Sequence, residues 1–326
     1  MAGHKFVYGP VASRRLGFSL GVDIIPFKTC TLDCTYCQLG SAGKTTVRRG
    51  SWFPPEDILA QIRAALASGQ RIDVVTFSGS GEPTLSRDIG FLIREIKKMT
   101  SVPVAVLTNG TLLTRKDVRR DLLAADVVVP SLDAVPAALF RRVNRPHASL
   151  DNRRIVEGLV RFRDEFRGEI RLEVMLIEGV NDSPEAIEAV KRAVARIRPD
   201  RIELNTVVRP PADPRAGALG PAALRRIRSL LGPRAEIVAS FARRKQPAAA
   251  GDLDRAVLAT VGRRPQTVAD ISVALGRGPG AGPPGRPRRK SLLRRTPRLA
   301  APVGFTCPGR CDNISSNEGR SRKSVR

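Results

Sequence analysis

The sequence predicts an α/β fold in which parallel strands alternate with helices. Short apolar runs rich in valine and isoleucine recur through the first two thirds of the 326-residue chain, as expected of strands buried on both faces. Helical patterns with apolar residues three or four positions apart separate these runs. Strand–helix–strand units have parallel strands and right-handed crossovers, so six units predict either a partial (β/α)6 TIM-like barrel or an open doubly wound sheet.

Turn residues set the predicted boundaries. The six strands are predicted at residues 21–26, 72–77, 102–107, 126–130, 170–177 and 201–208. The helices between them are predicted at residues 58–66, 85–99, 114–123, 151–166 and 183–197. Pro55 precedes the first of these helices, Thr114 is a plausible cap for the third, and Ser183-Pro184 opens the fifth.

The composition changes along the chain and predicts its domains. Residues 1–210 are predicted to form the barrel domain. Residues 211–250 are predicted to be a capping or linker segment, with a helix at 221–231 and a strand at 235–241. Residues 251–275 are predicted to form two short helices that resemble a truncated helix-turn-helix. These helices would be a small helical C-terminal extension of the barrel. Residues 276–326, a basic tail rich in Arg, Pro and Gly, are predicted to be disordered.

Composition also limits where the protein acts and what it binds. No apolar run approaches the roughly 18–20 residues of a membrane span, and the N-terminus has no secretory apolar stretch, so we expect a cytoplasmic protein without a membrane partner. The net charge is +25, and about half of it lies in residues 262–326. This charge indicates either attraction to RNA or another polyanion, or only a preference for arginine.

Polar signatures follow five of the predicted strands. They lie at residues 30–37, 78–84, 108–110, 131–133 and 178–182. Because the carboxyl ends of parallel strands lie at one edge of a sheet or barrel, we expect these signatures to converge on one site.

Three cysteines, Cys30, Cys34 and Cys37, form a C-x3-C-x2-C pattern within eight residues. Such thiolate clustering suits soft-metal chemistry, and iron–sulfur clusters are held mainly by cysteines. A protein-saturated [4Fe–4S] cluster needs four ligands, so either a distant residue is the fourth or one iron stays open to another molecule. Zinc sites usually have a second pair of ligands further along the chain, and no such pair occurs near the predicted barrel.

The cysteine pattern, with Tyr36 before its last cysteine, resembles the signature of the radical S-adenosylmethionine (radical SAM) superfamily. The resemblance covers about residues 5–210. It includes the segment Ser78-Gly79-Ser80-Gly81-Glu82, which is similar to the family's Gly-Gly-Glu motif with Ser80 in place of the first glycine, and Ser131-Leu132-Asp133. Segments on both sides of the cysteines resemble a bacterial subgroup grouped with the tRNA wyosine-base synthases.

The resemblance implies a partial barrel and assigns roles to these residues. Cys30, Cys34 and Cys37 would bind a [4Fe–4S] cluster whose fourth iron holds S-adenosylmethionine (SAM). Reductive cleavage of SAM would give a 5′-deoxyadenosyl radical that abstracts hydrogen from the substrate. For SAM binding, the resemblance implies that Glu82 and the backbone of Gly79, Ser80 and Gly81 contact the methionine ammonium. Tyr36 would lie beside the adenine. The ribose hydroxyls would be bonded by Ser131, Asp133 and Asn109.

The subgroup resemblance favours tRNA or other RNA-base modification, with an electron donor such as flavodoxin or ferredoxin. The wyosine synthases carry further cysteines ahead of the main motif, and this chain has none before Cys30. That difference argues against the same reaction and leaves a protein or small-metabolite substrate open. A second hypothesis is an iron–sulfur redox sensor that binds nucleic acid through residues 252–275.

Other residues are weaker candidates. His147 could donate a proton near the substrate, although a lone loop histidine is more often a local hydrogen-bond partner. Arg14 and Arg15 could bind an anionic substrate or be a surface pair. Asn205 could face either the cofactor or the core. Cys307-Pro-Gly-Arg-Cys311 could help to hold an accessory cluster, but two free thiols are the simpler interpretation.

Overall fold

The computed structural model describes residues 4–13, 15–41 and 43–238, and strands alternate with helices through most of them. The strands are β1 Val7–Ser13, β2 Gly17–Val22, β3 Val74–Phe77, β4 Val104–Thr108, β5 Val127–Pro130, β6 Glu169–Leu176, β7 Arg201–Thr206 and β8 Ala235–Ile237. The helices are α1 Pro55–Leu66, α2 Ile89–Met99, α3 Lys116–Leu122, α4 Ala137–Asn144, α5 Asn152–Glu165, α6 Pro184–Ile197 and α7 Pro221–Leu231.

The strands form one sheet in chain order, from β1 to β8. The pair β1–β2 is antiparallel, and every later neighbouring pair is parallel. This arrangement confirms the predicted α/β class with parallel strands.

Contacts between residues near its two ends show that the sheet is strongly curled. Arg15, in the turn between β1 and β2, forms an ion pair of 2.6 Å with Glu203 on β7 and one of 3.1 Å with Glu173 on β6. In a flat sheet β2 and β7 would be five strand spacings, about 24 Å, apart. The structure is therefore a partial barrel and not an open doubly wound sheet.

Two features differ from the expected six units. The additional strand β1 precedes the first predicted strand, and β8 pairs with β7 in parallel after the crossover helix α7. Leu224, Ile227 and Leu231 of α7 pack with β6, β7 and β8 in one apolar cluster, so residues 221–237 continue the alternation of helix and strand. The predicted elements at 251–275 and the tail at 276–326 lie outside the described residues.

The core has an outer and an inner part. The large outer cluster packs helix residues such as Ile62, Leu92 and Leu159 against the strands. The inner cluster is smaller and consists of Val74, Ala105, Val127 and Val129, with Leu16 and Leu107 beside it. Such a small group of side chains leaves space for a cleft at the carboxyl ends of the strands. None of the helices in the described part of the chain is long and apolar enough to span a membrane.

Candidate functional site

One cavity of about 380 Å³ lies among the loops that follow the strands. The three cysteines, the Ser78–Glu82 turn, Asn109 and Ser131 all line it, so four of the five predicted signatures converge. The fifth, at residues 178–182, lies behind the wall, where Asn181 donates to the carbonyl oxygens of Asp133 and Met175. The convergence follows from the parallel strands, whose carboxyl ends share one edge.

The cysteine loop is held by the C-terminal end of α4. The Asp33 amide donates to the Asn144 carbonyl oxygen at 3.1 Å, and the Thr35 amide donates to the Val143 carbonyl oxygen at 2.9 Å. The His147 amide donates in turn to the Thr31 carbonyl oxygen at 3.0 Å. The last carbonyl groups of a helix have no partner within the helix, so the loop satisfies groups that α4 leaves open.

Two asparagine side chains donate toward cysteine sulfurs. The Asn109 Nδ2 lies 3.5 Å from the Cys30 Sγ, and the Asn144 Nδ2 lies 3.4 Å from the Cys34 Sγ. Asn144 is 2% exposed. Amide donors of this kind stabilise negative charge on sulfur, as metal-bound thiolates require.

The three thiols are free of disulfide bonds and partly buried. Burial raises the pKa of the Cys30 thiol to about 12, and it also raises the pKa values of Cys34 and Cys37. Without a bound cation the thiols therefore stay protonated at neutral pH, and a cationic metal centre would replace those protons. Among the described residues, no three His, Cys, Asp or Glu side chains converge on a single-ion site. A [4Fe–4S] cluster would not require that convergence, because each cysteine would bind a different iron.

The Ser78–Glu82 turn packs directly against the start of the cysteine loop. The Glu82 amide donates to the Thr29 carbonyl oxygen at 3.0 Å, and the Lys28 amide donates to the Ser80 carbonyl oxygen at 2.6 Å. A Cβ on Gly81 would lie 2.0 Å from the Thr29 carbonyl oxygen. Only glycine allows this approach. Ser80, which replaces a glycine of the family motif, donates its hydroxyl to Asp23 at 2.5 Å.

Glu82 is buried and its carboxylate accepts four hydrogen bonds. Its Oε1 accepts from the Thr84 amide at 3.1 Å and from the hydroxyls of Thr84 and Thr108, each at 2.6 Å. Its Oε2 accepts from the Asn109 amide at 2.7 Å. Glu82 thus caps the 3-10 turn Pro83–Leu85, and it also lines the cavity. Oε2, with one donor, keeps acceptor capacity for a ligand.

Ser131 lines the cavity, whereas Asp133 lies beneath its wall. The Asp133 Oδ2 accepts from the Tyr36 hydroxyl and from the Asn144 Nδ2, both at 2.6 Å, and its Oδ1 accepts from the Met175 amide at 2.9 Å. Burial raises the pKa of Asp133 to about 6. These bonds give Asp133 a role in orienting Tyr36 and Asn144, which the sequence did not indicate.

The weaker candidates are divided between the cavity and other places. His147 is not among the lining residues, and its ring Nδ1 lies 2.9 Å from the Ser149 hydroxyl, as a local hydrogen-bond partner would. Arg15 does line the cavity, and Asn205 also lines it while donating to Glu173 at 2.9 Å. Arg14, Cys307 and Cys311 lie outside the described residues.

Sequence reasoning missed Asn144. The segment Val143-Asn144-Arg145-Pro146-His147 contains this asparagine shortly before the histidine. A polar residue at the end of a helix cannot be assigned to a sulfur 110 positions away without the fold.

Comparisons with known proteins give a family match and several relatives. The sequence model of the Radical SAM superfamily matches residues 24–194, which include the cysteines. A protein named GTPase Obg from Brachyspira hyodysenteriae is 45% identical over 215 residues, 66% of this chain and 32% of that protein. A UPF0026 protein of Methanocaldococcus jannaschii is 37% identical over 208 residues, 63% of this chain and 64% of that protein. The chain therefore spans less than two thirds of these two relatives.

Solved structures share the fold. The structure of TYW1 with a lysine–pyruvate adduct bound has a TM-score of 0.52 at 20% identity and covers 65% of this chain and 72% of that chain. A radical SAM methyltransferase from Sphaerobacter thermophilus has a TM-score of 0.52 at 20% identity, over 67% of this chain and 65% of that chain. At such identities the likeness concerns the fold alone.

Proposed function

This chain belongs to the radical SAM superfamily and is an enzyme of that type, and from this membership we propose that Cys30, Cys34 and Cys37 hold a [4Fe–4S] cluster with one iron open to SAM. The observation that carries the proposal is that three free, partly buried thiols on one loop line a cavity shared with Glu82 and Ser131. Two amide donors toward their sulfurs support it further.

When bound, the cluster would supply the electron for reductive cleavage of SAM, the chemistry by which an enzyme of this type would start hydrogen abstraction from its substrate. The chain's own residues bind and orient. The side-chain amides of Asn109 and Asn144 stabilise negative charge on the sulfurs of Cys30 and Cys34. The Ser78–Glu82 turn holds the cysteine loop in place. Enzymes of this type need a reductant, which we propose is a flavodoxin or a ferredoxin.

The SAM contacts follow from which groups still have hydrogen-bonding capacity. Glu82 Oε2 and the backbone of Gly79, Ser80 and Gly81 are proposed to bind the methionine ammonium, since they line the cavity. Ser131 is proposed to bond the ribose, and the ring of Tyr36 to lie beside the adenine. The family resemblance also implies ribose contacts for Asn109 and Asp133. Their present partners support an indirect role, because each already holds a neighbouring side chain.

For the substrate we propose an RNA base. Two arginine pairs, Arg141-Arg142 at the end of α4 and Arg153-Arg154 in the first turn of α5, are exposed and have no acidic partner among the described residues. The segment between them contacts the cysteine loop through His147. Exposed arginines attract phosphate, so this surface would bring a polyanion close to the cavity.

The cluster assignment is tested by Cys34→Ala in the full chain, reconstituted without oxygen with iron and sulfide. We expect loss of the brown colour and no 5′-deoxyadenosine after addition of dithionite and SAM. Cys311→Ala is the matched control and is expected to keep both. Full cluster content with unchanged SAM cleavage in Cys34→Ala would refute the ligand assignment.

The substrate proposal is tested by comparing cells with and without the gene. We expect a modified nucleoside to be missing from the RNA of the deletion strain and to return with the wild-type gene. The Cys34→Ala gene is expected not to restore it. A change confined to proteins or small metabolites would contradict the RNA proposal. Salt-sensitive binding to duplex DNA without SAM cleavage would favour a redox-sensing regulator.

A further inference from the structure

Asn144 is a buried amide whose donor end is fully used and whose carbonyl oxygen is unused. Asn152 shares that pattern, but only Asn144 of the two has a cysteine sulfur among its acceptors. Its Nδ2 has two acceptors, the Asp133 Oδ2 at 2.6 Å and the Cys34 Sγ at 3.4 Å. Its Oδ1 is buried and has no hydrogen-bond partner among the described residues. A buried carbonyl without a partner costs stability, so the position uses this residue for its donor end.

The surroundings fix which end of the amide faces the sulfur. Asp133 Oδ2 also accepts from the Tyr36 hydroxyl at 2.6 Å, and its partner oxygen accepts from the Met175 amide, so the carboxylate acts as an acceptor on both sides. An amide turned the other way would place its carbonyl oxygen against that carboxylate. One N–H of Asn144 therefore bonds Asp133, and the second points at Cys34.

The backbone of Asn144 holds the same loop. Its carbonyl oxygen accepts from the Asp33 amide at 3.1 Å, next to Cys34 in the chain. Backbone and side chain together fix the distance between the donor and the sulfur. A donor held at a fixed distance acts on the charge of the sulfur and not only on the shape of the loop.

We propose that Asn144 is a positioning residue that raises the reduction potential of the cluster by donating a hydrogen bond to the Cys34 thiolate. The inference rests on the proposed function, in which Cys34 is a cluster ligand. Reduction adds negative charge to the cluster and its sulfurs, and a hydrogen bond to sulfur stabilises that charge. Loss of the bond makes the cluster harder to reduce, and therefore slows delivery of the electron that SAM cleavage needs.

The test is a redox titration of the reconstituted full chain, followed by electron paramagnetic resonance. Asn144→Leu approximately keeps the volume of the side chain and removes its amide N–H donor without adding a charge. At a fixed solution potential within the transition, we expect the ratio of reduced to oxidised cluster to fall about tenfold, which equals 59 mV for one electron. Asn152→Leu is the matched control, because Asn152 is a buried asparagine that donates only to the carbonyl oxygens of Ala134 and Val135. We expect it to lower stability and leave the ratio unchanged.

The outcomes separate the two proposals. A wild-type chain that forms no [4Fe–4S] signal would contradict the proposed function itself. A wild-type cluster with an unchanged ratio in Asn144→Leu would overturn the role of Asn144. Asn144→Asp is the second variant, in case the leucine variant loses its cluster. If neither variant retains a cluster, Asn144 is required to build the loop and the proposed tuning is wrong.

Discussion

Glu82 shows how one buried carboxylate can serve several loops. It links the 3-10 turn after β3 to Thr108 and Asn109 at the end of β4, and burial raises its pKa while those donors act in the opposite direction. A role in binding the SAM ammonium is therefore added to a structural one. A substitution at Glu82 would change both.

Glu82→Gln is expected to lower the free energy of unfolding by about 1–3 kcal/mol, because one amide end would face donors that need an acceptor. Urea denaturation of the cluster-free protein measures this change. Glu188→Gln is the control, since the side chains of Glu188 and its ion-pair partner Arg192 are 53% and 68% exposed and loss of such a surface pair costs roughly 0–1 kcal/mol. Equal stability of Glu82→Gln and the wild type would contradict the structural role.

At the scale of residues, local patterns were predictable and partners distant in sequence were not. The spacing of Cys30, Cys34 and Cys37 indicates a metal centre because all three side chains lie on one short loop. Asp133 was placed correctly after a strand, but its partners Tyr36 and Asn144 are 97 and 11 positions away. Its position beneath the cavity wall therefore needed the fold.

At the scale of elements, the loop that carries the cysteines depends on two neighbours, the end of α4 and the Ser78–Glu82 turn. Helix α4 was not predicted, because it is short and follows Pro136 in a segment without a long apolar pattern. Strand β1 was not predicted either, since it contains Gly9-Pro10 and its register is irregular between Tyr8 and Val11. Proline is tolerated in such an edge strand.

Gly81→Ala tests the packing of the turn against the cysteine loop. The new Cβ would meet the Thr29 carbonyl oxygen at 2.0 Å and the Ile25 Cγ2 at 2.8 Å, so the backbone before Cys30 must move. We expect a loss of about 1–3 kcal/mol in the free energy of unfolding, as for overpacking elsewhere, together with reduced iron content after reconstitution.

The control for this variant is Gly220→Ala, where an added Cβ meets nothing within 4 Å. It is expected to keep its iron content. Normal iron content in Gly81→Ala would show that the close approach of the two loops is not needed to hold the metal.

At the scale of the whole molecule, the curl of the sheet places the site. Alternation of strands and helices predicted the parallel strands, but the choice between barrel and open sheet depends on contacts between distant strands. The Arg15 ion pairs with Glu173 and Glu203 make that contact, and they join residues up to 188 positions apart. No local pattern could show them.

Arg15→Met should destabilise the barrel by about 3–5 kcal/mol, because it removes the ion-pair partner of the fully buried Glu203. Arg15→Met combined with Glu203→Gln removes the buried charge of Glu203 but still breaks the ion pair between Arg15 and Glu173, so it is expected to recover part of the loss. Denaturation of the wild type, both single variants and the double variant measures the coupling. If the losses in unfolding free energy of the two single variants simply added in the double variant, the ion pair would not be what closes the barrel.

The central claim is that three cysteines leave one iron of the cluster open to SAM. Mössbauer spectra of the ⁵⁷Fe-reconstituted full chain, taken with and without SAM, test it most directly. We predict that one iron in four changes its isomer shift when SAM is added, while the other three stay unchanged. Four irons that ignore SAM, or a preparation that takes up zinc in place of the cluster, would contradict the account.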